Sequence, residues 1–125
     1  MPVATRMSVK SRNIDAPLLS FKLQDEVRRL RREPEWKDGD KNGITLAKYP
    51  NLRTVLVTLK KGAHMREHGP EGPMSLAVIS GKVELLAGGV RQTLERKGLA
   101  TVRRGVRHDV RAMQDSVILL TIVWP

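Results

Sequence analysis

Three histidines, His64, His68 and His108, are the whole imidazole inventory of the chain. An imidazole can ligate a metal, move a proton, or sit as a hydrogen-bonded member of a core. Two of them bracket Arg66 on alternate positions, and in a strand alternate residues share one face. An arginine turned inward is costly unless a carboxylate, a phosphate or a ligand meets it. Arg66 therefore reads either as half of an internal ion pair, with Glu71 or Glu84, or as the anion-binding group of a pocket. The chain has no cysteine, which excludes disulfides, iron–sulfur clusters, thiolate zinc sites and cysteine nucleophiles. No serine, lysine or paired-carboxylate arrangement offers a better catalytic site.

These residues need elements to hold them. At 125 residues the chain is one domain's length, with an N-terminal arm and amphipathic helix expected over 1–40 and a β-barrel domain over 41–125. One helix is expected, from Lys22 to Glu33. Leu23, Val27 and Leu30 fall at i, i+4 and i+7 as a single apolar stripe, with Ser20 as N-cap and Pro34 as the stop. From residue 44 the period changes to two. Val55, Val57 and Leu59 alternate with Thr54, Leu56 and Thr58, and residues 62–69 are extended but polar. Further strand patterns cover 75–79, 82–87, 89–95, 99–103, 107–113 and 116–124, separated by Ser80-Gly81, Gly88-Gly89, Lys97-Gly98, Gly105 and Gln114-Asp115. About eight short strands with turn residues between them predict an antiparallel sandwich or small barrel. Gly81, Gly88 and Gly89 are expected at positive φ. Val117 to Trp124 is apolar on both faces apart from Thr121. One face fills the barrel, and the other needs a cover from the helix or from a second subunit.

Two histidines also stand in a recognisable frame. From Gly62, five residues lead to His68; Met74 follows, and after six intervening residues comes Gly81. Gly105 precedes His108 by three. This pattern, over about residues 53–124, resembles the cupin superfamily, whose motifs read G-x5-H-x-H-x3-E-x6-G and P-x-G-x2-H-x3-N. The resemblance implies an all-β cupin-type antiparallel barrel, a jelly roll. It also implies a metal site of three histidines and a glutamate, of which this chain retains His68 and His108. Pro70 replaces the second histidine, Met74 the glutamate, Arg103 the proline and Ala112 the asparagine, while Gly98 stands one residue from the second motif's opening glycine.

Two imidazoles fall short of the three protein ligands a catalytic metal normally takes. His64 does not make up the number, because four strand residues span about 13 Å. Glu67 faces the wrong way by parity, which leaves Glu71 as the oxygen ligand. The cofactor expectation is therefore none, or a divalent ion (Fe, Mn, Zn or Ni) on His68, His108 and Glu71. The main functional expectation is a pocket for a small anionic metabolite, floored by Met74 with Arg66, His68 and His108 as its polar groups. A metal-dependent oxygenase or isomerase using His68 and His108 is the first alternative, and histidines that are only core residues remain open.

The charge balance suggests a third reading. Lys and Arg total 23 against 13 Asp and Glu, a formal net charge of +10, and such an excess suits nucleic acid or another anionic partner. Arg91, Arg96, Lys97, Arg103, Arg104, Arg107 and Arg111 supply much of it. Yet aromatic residues make up only 3%, too few for a stacking platform, and no helix-turn-helix or β-ribbon signature is present. A solvated basic face is the expectation, with no nucleic-acid partner. The apolar last strand predicts a homodimer. No apolar run reaches membrane-spanning length, so a cytoplasmic protein without a membrane partner is expected.

Overall fold

A computed structural model describes residues 12–67 and 72–123. Helix α1 (Leu23–Arg31) carries the predicted stripe: Leu30 is fully buried, with Leu23 and Val27 packed beside it. The N-cap is Lys22 rather than Ser20, and no side chain caps it. Asp25 and Glu26 in the first turn and Arg28, Arg29 and Arg31 in the last complement the helix dipole instead. Pro34 does more than stop the helix. It opens a second short one, α2 (Pro34–Lys37), at the first helical position, where its missing N–H costs nothing.

Among the described residues nine strands follow: β1 (Lys41–Tyr49), β2 (Leu52–Leu59), β3 (His64–Glu67), β4 (Met74–Ser80), β5 (Lys82–Ala87), β6 (Val90–Glu95), β7 (Leu99–Val102), β8 (His108–Ala112) and β9 (Ser116–Val123). They form two antiparallel sheets, ordered β1-β2-β9-β4-β7 and β3-β8-β5-β6. The jelly-roll class holds, and the sheets face each other as a sandwich that hydrogen bonds do not close. The chain passes between sheets at Gly81, φ +87°, where one residue separates β4 from β5. Gly88 and Gly89 both have positive φ (+56° and +76°), as a two-residue I′ hairpin requires.

Between the sheets lies the main core, with Val55, Val57, Leu76, Val83, Val110 and Ile118 among its members. A second cluster lies on the outer face of the larger sheet, where Ile44, Leu46, Leu56 and Val117 meet Leu30 and the partly buried Phe21 and Leu119. The cover that β9 needs is thus the chain's own N-terminal segment, and β9 by itself no longer calls for a second subunit. Polar ties hold this cover down. Asn42 Nδ2 donates to the Leu30 carbonyl (2.9 Å), Lys48 N donates to the Ile14 carbonyl (2.8 Å), and the Tyr49 hydroxyl donates to the Ala16 carbonyl (3.0 Å). Among the described residues no helix is long and apolar enough to cross a membrane.

Candidate functional site

Strand β8 organises the site. Val110 and Ala112 point into the core, and alternation puts His108 on the same face, 6% exposed. The turn that delivers β8 runs from Arg103 to Val106, closed by Val106 N donating to the Arg103 carbonyl (3.2 Å). Gly105 in its third position has φ +78°, the left-handed conformation that position of a type II turn needs. At the other end, Ala112 N donates to the Ala63 carbonyl (2.9 Å) and Gly62 N to the Ala112 carbonyl (2.8 Å), locking β8 beside the chain that enters β3.

Where β8 begins and β5 ends, a depression of about 730 Å³ opens. Arg66, Leu86, Ala87, Gly88, Gly89, Val106, Arg107, His108 and Asp109 line it. His108 Nδ1 is buried there without a hydrogen-bond partner, and so is Asp109 Oδ1. His64 Nδ1 stands 3.5 Å from Asp109 Oδ1, close enough for charge attraction when the imidazole is protonated, yet no hydrogen bond forms between them. Asp109 faces Arg66 in the β3–β8 register. Among the described residues Arg66 makes no ion pair, with Glu84 or any other acid.

Several expectations change here. Met65 and Ala63 fill the core side of β3 and its approach, so His64 and Arg66 stand on the exposed face. An apolar Met65 between two polar residues settles the parity, because only one set can face the core. Arg66 is therefore not an interior group. It reaches the depression from the sheet's outer side, while His108 meets it from the inner side. Met74 lies in the core on β4, 4% exposed, and is not part of the lining. Glu67 pairs with His108 in the register. His68 and Glu71 lie outside the described residues, as does Trp124.

The sequence reading placed Arg107 only in the basic tract and did not single out Asp109, and both line the depression. The usable signal was adjacency to His108: the residues flanking an inward position at a strand's first residue crowd the same opening. It also missed β1 as a separate strand. Six consecutive buried residues from Asn42 to Ala47, including polar Asn42 and Thr45, show no alternation to read.

For a metal, the donors present are few. Among the described residues no group of three or more histidines, aspartates or glutamates is placed to hold an ion. Among the described residues His108 is the one buried imidazole, and the neutral thioether of Met74 stands where the motif's glutamate would be. The described donors do not fit a divalent cation.

No family model matches the sequence, and no curated protein does. Solved structures do. The Cnp3 cupin domain of Schizosaccharomyces pombe matches at TM-score 0.64 and 18% identity, over 68% of this chain and 65% of that one. A conserved protein of unknown function from Streptococcus pyogenes matches at 0.68 and 19%, over 91% and 93%. Salicylate 1,2-dioxygenase from Pseudoaminobacter salicylatoxidans, in its gentisate adducts, matches at 0.77 and 15%, over 90% of this chain but 35% of the enzyme. The chain thus spans just under two thirds of the first of these and about a third of the dioxygenase. At such identities the likeness shows the cupin fold and no more.

Proposed function

We propose that this cupin-fold chain binds a small anionic metabolite in the depression at the start of β8. The observation that carries this reading is His108 Nδ1, buried and without a partner beside two lining arginines, Arg66 and Arg107. A desolvated imidazole nitrogen costs stability in the empty protein, and a ligand that hydrogen-bonds to it recovers that cost. Guanidinium groups supply fixed positive charge and planar donor pairs suited to carboxylate or phosphate. Leu86, Ala87 and Val106 give the apolar wall typical of a small-molecule site. The lining offers an apolar wall, fixed positive charge and one imidazole.

The test is calorimetric titration of the full chain with succinate and with inorganic phosphate. Saturable binding that falls at least about ten-fold in Arg66→Ala and in His108→Ala is the expected result, since charge-assisted hydrogen bonds are worth that much or more. His64→Ala, on the outer face and absent from the lining, should change affinity far less. Wild-type protein that binds neither of these anions nor the hydroxylated analogue malate would overturn the reading.

A second reading has one observation behind it. Among the described residues Arg91, Arg96, Lys97, Arg103, Arg104, Arg107 and Arg111 make no ion pair, so the basic tract is uncompensated and open to a polyanion. Affinity for duplex DNA that falls steeply with salt would support it.

A further inference from the structure

Asp109 is an odd residue to find in an anion site. It lines the same depression as Arg66 and Arg107, so it places a carboxylate where a bound anion would sit. Its side chain is partly exposed, but its Oδ1 is closed off from solvent and accepts no hydrogen bond, with His64 Nδ1 standing 3.5 Å from it. Arg66 stands opposite it in the register, yet the two form no ion pair. A buried acceptor with nothing donated to it is expensive, and a neighbouring guanidinium that leaves it unsatisfied is available to something else.

Resting on the anion-binding reading above, we infer that the ligand carries a hydrogen-bond donor beside its negative charge, and that Asp109 selects for it. The chemical class is a hydroxy acid rather than a plain carboxylate. Asp109 acts in two directions. A plain carboxylate held by Arg66 and Arg107 brings its charge against the Asp109 carboxylate, and like charges brought together on binding are disfavoured. A hydroxyl on the ligand removes part of that penalty by donating to Oδ1. A site with a buried acceptor discriminates strongly against analogues that leave it unpaired. His108 Nδ1, the second unmet atom of the lining, lies on the opposite face of β8 and meets the depression from its inner side.

The experiment compares two matched pairs on the full chain by calorimetry: malate against succinate, and gluconate against hexanoate. The hydroxylated member of at least one pair should bind about ten-fold tighter or more, the worth of one hydrogen bond to a charged acceptor. Asp109→Ala should bring the ratio close to one, weakening the hydroxy acid and strengthening the plain acid. Asp109→Asn, which keeps an acceptor oxygen and removes the charge, should retain part of the preference. Equal affinities within both pairs, or a preference that survives Asp109→Ala, would overturn the donor requirement and leave the anion site standing. Failure of all four acids to bind would overturn both.

Discussion

Arg66 on β3 and Asp109 on β8 are direct cross-strand partners of opposite charge, and no ion pair joins them. Opposite charges in that register usually attract by about 0.2–1 kcal/mol. Here both side chains instead line one depression. A double-mutant cycle of Arg66→Ala and Asp109→Ala, followed by urea denaturation, should therefore give a coupling below about 0.3 kcal/mol, within ordinary additivity. A larger coupling would mean that the pair closes on itself and that the depression lacks its free guanidinium.

The two kinds of glycine in the turns should separate cleanly in stability. Gly81 has φ +87°, and a Cβ added there would collide with Ser116 Oγ and the Asp115 carbonyl. Ser116 Oγ cannot simply withdraw, because it accepts from Lys82 N (2.9 Å) and donates to the Gln114 carbonyl (2.8 Å). Gly89 has φ +76° but nothing within 4 Å of the added atom. Gly89→Ala should thus cost about 1–2 kcal/mol, the left-handed penalty alone. Gly81→Ala should cost clearly more, by thermal or urea denaturation. Equal losses would mean that the Gly81 crossing is looser than its contacts require.

How far the sequence could be read depended on whether one face of an element stays wet. Helix α1 was legible because Leu23, Val27 and Leu30 stand against charged neighbours. The β5–β6 hairpin was legible because Gly88-Gly89 can only be a turn of that hand. Strand β1 was hidden, since burial on both faces removes alternation and lets Asn42 and Thr45 look like loop residues. The site was half legible. Gly105 and His108 sit in a motif frame, and His108 does face inward. Arg66 was misplaced because its parity was tied to His68, whereas Met65, the apolar residue between Arg66 and His64, takes the core side. Asp109 could not be found from its spacing, because what singles it out is an unmet oxygen, a property of packing.

Asn42 gives a test of the N-terminal cover. Its side chain is buried, its Nδ2 donates to the Leu30 carbonyl and to Glu33 Oε1 (2.9 and 3.0 Å), and its Oδ1 accepts from Gly43 N (2.9 Å). Replacing it with alanine removes the side-chain bonds to the Leu30 carbonyl, which keeps the longer bond from Glu33 N (3.4 Å), to Glu33 Oε1 and to Gly43 N. Asn42→Ala should lower stability by about 1–3 kcal/mol, and it should speed hydrogen exchange in α1 ahead of the inner core. Exchange that stays uniform across the chain would mean that α1 and the sandwich unfold as one unit.

His108 gives the sharpest division between stability and function. Its imidazole is 94% buried by the complement of its 6% exposure, on the face of β8 that carries Val110 and Ala112, and its Nδ1 has no partner. Replacing the ring with leucine removes the unmet nitrogen and keeps an apolar group against Ala87 and Val106, so His108→Leu should raise stability by about 0.5–2 kcal/mol. The same change should abolish saturable succinate binding, because the anchor on the inner side of the depression is gone. Urea denaturation and calorimetry on one preparation measure both. Loss of stability together with unchanged binding would reverse the assignment: His108 would then be a satisfied core residue, and the depression would hold its ligand by arginine alone.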